Sequence, residues 1–252
     1  MTERFPFALA LMLLAVLAQP RPALADHSAE CHAGQQEGAA DFPLPHVVQA
    51  LAGKHLDILV VGAGSSVLPG PNGAKDAYPA RLQNALSEKL PGIAVRLTTD
   101  VKSRRTAAEM VKTMPAVLAA AKPALVVWQT GTVDAMQSVD PDEFSAAVEL
   151  GINLAHSAGA DTILINSQYS PRTESIIALS TYDEDLRWVA VQQQIPLFNR
   201  FSIMKAWSDS GTFDLYSPTK KLDIAERVHD CIGRLLADLV LEAAKPAEPP
   251  PK

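Results

Sequence analysis

Short apolar runs alternate with amphipathic stretches along most of the chain. The clearest run, residues 56–61, is almost continuously apolar, which is typical of a strand buried on both faces of a parallel sheet. Four later runs have a similar character, and we interpret all five as strands: residues 56–61, 93–98, 124–129, 162–166 and 196–198.

The stretches between these runs have the periodicity of helices that cover a sheet. Thr106 and Glu109 have the spacing of a capping box, and Asp140 precedes Pro141 as a typical helix N-cap. Pro115 is expected to kink the helix that Thr106 opens. Further helices are predicted around residues 46–51, at 77–90, within 173–194 and at 222–243.

The alternation of strand and helix predicts one α/β domain, a three-layer α/β/α sandwich around a doubly wound parallel sheet of about five strands. We expect this domain to span residues 53–242, between an N-terminal arm at 26–52 and a disordered Pro-rich tail at 243–252. Ligands of such folds bind beyond the carboxyl ends of the strands. The loops at that edge are residues 62–73, 99–105, 130–138 and 167–173, with segment 214–223 beside them.

The first 25 residues have the pattern of a cleavable signal peptide. A start containing Arg4 is followed by the apolar run 7–18 and by the small-x-small sequence Ala23-Leu24-Ala25. The apolar run is shorter than the roughly 20 residues of a transmembrane helix, although an uncleaved anchor is the alternative. The pattern predicts a periplasmic or secreted protein without stable membrane insertion.

Charge and cysteine content narrow the function classes. The formal net charge of −6 argues against nucleic acid as a partner. Cys31 and Cys231 are the two cysteines, and an oxidising compartment favours a disulfide between them over two unpaired thiols. The sequence contains no CxxC or HExxH motif and its six histidines are scattered, so no metal or other cofactor is expected.

The first strand-end loop is the best candidate for chemistry, because it contains the sequence Gly62-Ala63-Gly64-Ser65-Ser66. A serine between a strand end and a turn can expose its hydroxyl and offer backbone N–H groups to a developing oxyanion. A plain Gly/Ser turn or a phosphate-binding loop is the alternative. The dinucleotide fingerprint is incomplete, however, and no Gly-Lys-Ser/Thr is present.

The order and spacing of four segments resemble the SGNH/GDSL hydrolases, in particular their exported bacterial branch. The resemblance covers residues 56–239 and implies a flavodoxin-like α/β/α sandwich with serine esterase or acyl-transfer chemistry that needs no metal. The segments that carry it are residues 62–66, Asp-Ala-Tyr-Pro-Ala-Arg-Leu at 76–82, Trp-Gln-Thr-Gly-Thr-Val-Asp at 128–134 and Gln-Tyr-Ser-Pro at 168–171.

The resemblance implies a nucleophilic serine in the first loop, for which Ser65 is the first candidate and Ser66 the second. The family's Gly-x-Asn-Asp block reads Gly131-Thr132-Val133-Asp134, so the side-chain oxyanion donor is replaced by a valine. Asp134 remains a catalytic candidate. Further oxyanion or ligand-binding candidates are Gly64, Ser66, Thr132, Tyr169 and the backbone near Arg104, whose loop lacks the family's glycine.

The family's Asp-x-x-His block reads Asp214-Leu-Tyr-Ser217 here, so its histidine base is missing. His229 is the remaining histidine in the right region, and it lies about two turns into the predicted last helix. We expect it to pair with Asp223 or Asp214 only if that helix begins later than predicted. Otherwise His229 is a surface or core-edge residue.

Basic and aromatic residues at the strand ends suggest a ligand. A basic rim of guanidinium and ammonium groups could hold an anion, although a solvated charged surface is the alternative. Its members are Lys102, Arg104, Arg105, Lys220 and Lys221. Tyr169 and Tyr216 are candidate ligand contacts. Trp128, Trp188 and Trp207 are expected in core and loop packing.

Two functions follow from these patterns. The first is an exported serine hydrolase, an esterase or O-acyl hydrolase that acts on a small-molecule or glycan ester of the cell envelope. The second is an inactive pseudohydrolase that binds an anionic ligand or a partner protein in the periplasm.

Overall fold

The computed structural model describes residues 31, 42–216 and 222–245. Its strands are β1 (His55–Gly62), β2 (Ala94–Val101), β3 (Leu125–Gln129), β4 (Asp161–Ile165) and β5 (Leu197–Phe198). They form one parallel sheet in the order β2-β1-β3-β4-β5. The prediction of a five-stranded parallel sheet is confirmed, with small shifts at the strand ends.

Helices flank the sheet on both sides and mostly lie where the periodicity places them. They are α1 (Pro45–Ala52), α2 (Gly73–Asp76), α3 (Tyr78–Lys89), α4 (Ala107–Ala121), α5 (Thr132–Gln137), α6 (Pro141–Ser157), α7 (Pro171–Glu174), α8 (Leu179–Gln193), α9 (Arg200–Asp209) and α10 (Asp223–Ala243). Four of them were not predicted. The short helices α2, α5 and α7 lie in or next to stretches interpreted as loops, and α9 follows the short strand β5.

The predicted helix starts are confirmed. Thr106 accepts a hydrogen bond from the backbone N–H of Glu109, whose carboxylate in turn accepts one from the backbone N–H of Thr106. Asp140 caps α6 by accepting from the N–H groups of Asp142 and Glu143. Pro115 lies inside α4, which runs without interruption to Ala121.

Strand β1 shows why the domain has three layers. Ile58 and Val60 belong to the apolar core on one face of the sheet, and Leu59 and Val61 belong to the core on the other. Side chains alternate across a strand, so a continuously apolar run is buried only when helices cover both faces. Helices α1, α3, α9 and α10 cover the first face, and α4, α6 and α8 cover the second.

Helices α3 and α10 pack very closely, and a glycine permits the contact. A Cβ atom at Gly233 of α10 would lie 2.5 Å from the Cβ of Arg81 and 2.7 Å from the backbone nitrogen of Leu82. The missing side chain therefore lets the two helix backbones approach. This contact holds His229 of α10 beside Tyr78 at the start of α3.

The N-terminal arm is joined to the domain by packing and by a covalent bond. Leu44 and Val47 lie in the core, and the backbone N–H of Leu44 donates to the carbonyl of Ala243 at the end of α10. Cys31 forms a disulfide with Cys231, with 5.2 Å between their Cα atoms, so the predicted pairing is confirmed.

The predicted signal peptide, most of the arm and the tail beyond residue 245 lie outside the described residues. Within the described part of the chain, no helix combines the length and the apolar character that crossing a membrane would require.

Candidate functional site

A tight turn at the end of β1 presents the two candidate serines differently. The residues Gly64–Ser66 form a single turn of 3-10 helix directly after the strand. A Cβ atom at Gly62 would lie 2.2 Å from the hydroxyl oxygen of Ser66, so the turn folds back over a position that must lack a side chain. Ser66 is buried with 2 % of its surface exposed, whereas Ser65 is half-buried.

The two hydroxyls belong to one hydrogen-bonded chain centred on Gln129, the last residue of β3. Arginine can only donate, so the 3.2 Å contact of Arg200 Nη2 makes Ser65 Oγ an acceptor. The proton of Ser65 is donated to Oε1 of Gln129 at 3.0 Å. Ser66 also donates to Oε1, at 2.9 Å, and therefore accepts from the hydroxyl of Tyr78 at 2.9 Å.

Arg200 reaches this chain from the first turn of α9. Asn199 follows β5 and caps the helix, because its side chain accepts from the backbone N–H of Ser202 at 3.2 Å. The guanidinium of Arg200 has no exposed surface, and its Nη1 donates to the carbonyl oxygen of Ser65 at 3.4 Å. Among the described residues, no carboxylate forms an ion pair with it.

The charge of Arg200 is therefore poorly compensated. Burial lowers the pKa of its guanidinium to about 10, and the nearby Tyr78 and Asp183 oppose this effect. Arg200 still carries a positive charge at neutral pH. Burial also raises the pKa of the Asp183 carboxyl, which accepts from the backbone N–H of Ser167 at 3.0 Å.

His229 makes its hydrogen bond to the backbone of Tyr78 rather than to the serine hydroxyl. Its Nδ1 accepts the backbone N–H of Tyr78 at 3.0 Å, so the proton of the neutral ring is on Nε2. Burial, with added repulsion from Arg200 and Arg81, lowers the pKa of His229 to about 3, so the ring is neutral at physiological pH. No hydrogen bond in the described part of the chain joins it to Ser65.

Ser65 and His229 nevertheless line the same cleft, which has a volume of about 350 Å³. Gly64, Gln168 and Asp214 also contribute to it. The rest of the lining is apolar and consists of Val67, Leu68, Met204, Leu215, Ile224, Ala225, Val228 and Ile232. A mostly apolar pocket with a few polar groups is the usual form of a small-molecule site.

The two aspartates of the candidate catalytic set lie elsewhere. Asp134 is buried and accepts from the backbone N–H of Ala107 at 2.9 Å, which caps the start of α4. Burial raises the pKa of the Asp134 carboxyl, with hydrogen bonds opposing the effect. Asp223 is exposed and lines a separate groove with Arg81, and no hydrogen bond joins it to His229 among the described residues.

The remaining oxyanion and ligand candidates are spread over several loops. Thr132 begins α5, and its hydroxyl is buried with no partner among the described residues. Arg104 has an exposed side chain and a left-handed backbone with φ of 65°. Tyr169 is buried and packs edge-on against Phe201, with 5.2 Å between ring centroids.

The structure describes three members of the expected basic rim, of which Lys102 and Arg104 are exposed and Arg105 is buried. Arg105 is 8 % exposed and pairs with Asp100 at 2.8 Å, and Nζ of Lys102 lies 3.9 Å from the same carboxylate. Lys220 and Lys221 lie outside the described residues. The buried cation next to Ser65 is instead Arg200.

The aromatic candidates also need one correction. Trp128 and Trp207 are buried as expected, but Trp188 of α8 is 67 % exposed and faces solvent rather than a core. Tyr216, the last described residue before segment 217–221, is 69 % exposed.

Sequence reasoning missed Gln129 and Arg200, the two side chains that contact Ser65. A signal for both was present, because each polar residue stands at or just after the carboxyl end of a predicted strand, where ligands of parallel sheets bind. Among the described residues, no three His, Cys, Asp or Glu side chains lie close enough together to hold a metal ion.

Comparison with solved structures places this site in a known fold. The acetylxylan esterase Axe2 from Geobacillus stearothermophilus, solved as a catalytic mutant, has 14% identity over 73% of this chain and 94% of its own, with a TM-score of 0.58. TesA has 23% identity over 72% of this chain and 99% of its own, with a TM-score of 0.55. The psychrotrophic esterase EstA from Pseudoalteromonas sp. has 16% identity over 73% of this chain and 96% of its own, with a TM-score of 0.56.

These identities are low, so the similarities establish the fold alone. A comparison with curated proteins gave no match. The model of the Non-GDSL lipase-like family, in contrast, matches residues 30–246. The match covers most of the chain, which therefore belongs to the Non-GDSL lipase-like family and shares the α/β/α fold of the SGNH/GDSL esterases.

Proposed function

We propose that the protein is an exported hydrolase of the esterase type, with Ser65 as nucleophile. The observation that carries the proposal is the position of Ser65, a half-buried hydroxyl that opens into an apolar cleft. Ser66 has the same chemistry but is buried and does not line the cleft, so we assign the attack to Ser65.

The substrate follows from the shape and lining of the cleft. About 350 Å³ lined mostly by aliphatic side chains suits the acyl part of a small ester, with its carbonyl carbon next to the Ser65 hydroxyl. The backbone N–H groups of the turn at Gly64 and Ser65 would then face the developing oxyanion. An O-acyl group of an envelope glycan or a small ester meets these requirements.

Export is part of the proposal. The N-terminal pattern of a basic start, a short apolar run and Ala23-Leu24-Ala25 supports it. The disulfide between Cys31 and Cys231 supports an oxidising compartment. Mass spectrometry of the protein recovered from the periplasm or medium tests it, and we expect a mature chain that begins at Asp26.

Binding without turnover is the second candidate, and one observation favours it. His229 uses its Nδ1 to accept the Tyr78 N–H, and the side chains that contact Ser65 are an amide and a guanidinium, neither of which is an ordinary base. Such a site would hold an anionic ligand, because the nearby charge of Arg200 is positive.

Labelling of the purified mature protein with a fluorophosphonate probe separates the two candidates. The esterase proposal expects labelling that disappears in Ser65→Ala. Labelling should persist in Ser87→Ala, which removes an exposed hydroxyl from α3. Hydrolysis of p-nitrophenyl esters of increasing acyl length should likewise be lost in Ser65→Ala and retained in Ser87→Ala. A protein that remains folded by circular dichroism but is neither labelled nor active favours binding.

A further inference from the structure

The most unusual group near Ser65 is the buried guanidinium of Arg200. Buried charges in proteins are normally paired with an opposite charge or fully hydrogen-bonded. Arg200 has no ion-pair partner among the described residues, its Nε atom has no hydrogen-bond partner, and its two contacts of note are the hydroxyl and the carbonyl oxygen of Ser65. The fold therefore buries a positive charge without an ion-pair partner among the described residues, in direct contact with Ser65.

The guanidinium of Arg200 is close enough to Ser65 to make its hydroxyl more acidic. A cation 3.2 Å from the hydroxyl oxygen favours the deprotonated form of that hydroxyl, as a neighbouring opposite charge does for any acid. Exclusion of water from Arg200 strengthens the interaction, because the local dielectric constant is low.

Gln129 orients the serine without acting as a base. Its Oε1 accepts the Ser65 proton in a hydrogen bond of 3.0 Å, but an amide oxygen does not take a proton at neutral pH. His229 is held by the Tyr78 N–H and makes no hydrogen bond to Ser65 within the described residues. The site thus contains a group that stabilises a serine alkoxide, and the described residues supply no side-chain base in contact with the hydroxyl.

We propose that Arg200 activates Ser65 by stabilising its alkoxide, and that hydroxide from solvent, rather than a histidine, removes the proton. The proposal rests on the assignment of Ser65 as nucleophile. It makes Arg200 a catalytic residue, because its guanidinium touches the reacting oxygen.

The reaction then balances without a further co-reactant. Hydroxide takes the Ser65 proton and becomes water, and the Oγ–carbon bond forms as the ester carbonyl becomes a tetrahedral oxyanion. Collapse breaks the ester C–O bond, and the leaving alkoxide takes a proton from water. A second hydroxide attacks the acyl-enzyme, and the Oγ–carbon bond breaks to give a carboxylic acid and the Ser65 alkoxide, again beside Arg200. The acid passes its proton to this alkoxide and leaves as the carboxylate.

This mechanism predicts a particular pH profile. With a phosphonofluoridate probe, the Ser65 oxygen–phosphorus bond forms, the phosphorus–fluorine bond breaks and fluoride leaves. The rate of labelling should rise about tenfold per pH unit from about pH 7 to about pH 9, because the alkoxide fraction follows hydroxide. A histidine base would instead give a plateau above its own pKa.

Variants of Arg200 provide the second measurement. Arg200→Met keeps a similar volume without the charge, and we expect labelling to slow by on the order of 100-fold, as when one transition-state donor is removed. Arg200→Lys should give an intermediate rate, because it keeps the charge but loses the second donor. Arg96→Met is the control and should label at the wild-type rate, since it removes an arginine that pairs with Asp57 and does not line the cleft.

The outcomes separate this inference from the proposed function. A plateau near neutral pH in the wild-type profile, or an Arg200→Met rate within about threefold of wild type, overturns the role of Arg200 but leaves Ser65 as nucleophile. No labelling of Ser65 at any pH overturns both. If Arg200→Met does not fold, the wild-type profile and Arg200→Lys decide, because a flat profile or an unchanged lysine variant contradicts the inference.

Discussion

Nδ1 of His229 accepts a hydrogen bond of 3.0 Å from the backbone N–H of Tyr78. Tyr78 is the first residue of α3, and the N–H groups of a first helical turn have no partner within their own helix. The imidazole of His229, on α10, supplies the missing acceptor for the Tyr78 N–H, across the close contact at Gly233. His229 therefore joins two helices in the described structure, and its buried ring has a pKa of about 3.

We predict that His229 makes the protein acid-sensitive. Its folded pKa of about 3 lies below its unfolded value near 6.5, so between these values the unfolded state binds more protons and stability falls as pH falls. The loss between pH 7 and pH 5 should be about 2 kcal/mol, measured by urea unfolding.

His229→Asn is the control for this loss of stability, because the amide oxygen of asparagine can accept the Tyr78 N–H and does not titrate. The raised pKa values of Asp134 and Asp183 favour the folded state on acidification, but they act in both proteins and cancel in the difference. Equal losses in wild type and variant would show that His229 does not carry the effect.

Ser66 should contribute to stability through its buried hydroxyl. Ser66→Ala removes a partner from both Tyr78 and Gln129, and leaving buried polar groups unpaired costs about 1–3 kcal/mol. Ser87→Ala, at an exposed site of α3, should cost little. Chemical denaturation of Ser66→Ala, Tyr78→Phe and the double variant measures the coupling, and strictly additive losses would contradict the hydrogen bond.

Loss of the disulfide should destabilise the fold without abolishing the core. The Cys31–Cys231 bond spans 200 residues, and removing a native disulfide typically costs about 2–5 kcal/mol. The double variant Cys31→Ala/Cys231→Ala should melt at a lower temperature than the oxidised wild type. Reductant should lower the melting temperature of the wild type and leave that of the variant unchanged; a wild type insensitive to reductant would refute this.

Gly233→Ala should destabilise the protein although alanine favours helices. The new Cβ would overlap the backbone of α3 at Leu82, and such overpacking typically costs about 1–3 kcal/mol. Glu242→Ala, on the exposed surface of the same helix, is the control. A Gly233→Ala protein as stable as wild type in urea would mean that α3 and α10 can separate at no cost.

The elements that local pattern determines were predictable from the sequence. The continuous apolar run of β1 specified a strand with both faces covered, and Thr106 and Asp140 specified two helix starts through their own side chains. Helix α9 was missed because it is short, it follows a strand of two residues, and the buried position at its start is an arginine rather than an apolar residue. Helix α5 was missed because a six-residue helix is too short to show a period.

The environment of Ser65 was decided by the tertiary structure. The sequence placed this serine at the end of β1, because a glycine-flanked turn after a buried strand is a local signal. Gln129 and Arg200 are separated from it by 64 and 135 residues, and they meet it only through the strand order and the start of α9. Whether a side chain is buried, charged and in contact with a distant hydroxyl depends on long-range packing, which periodicity and motif spacing do not encode.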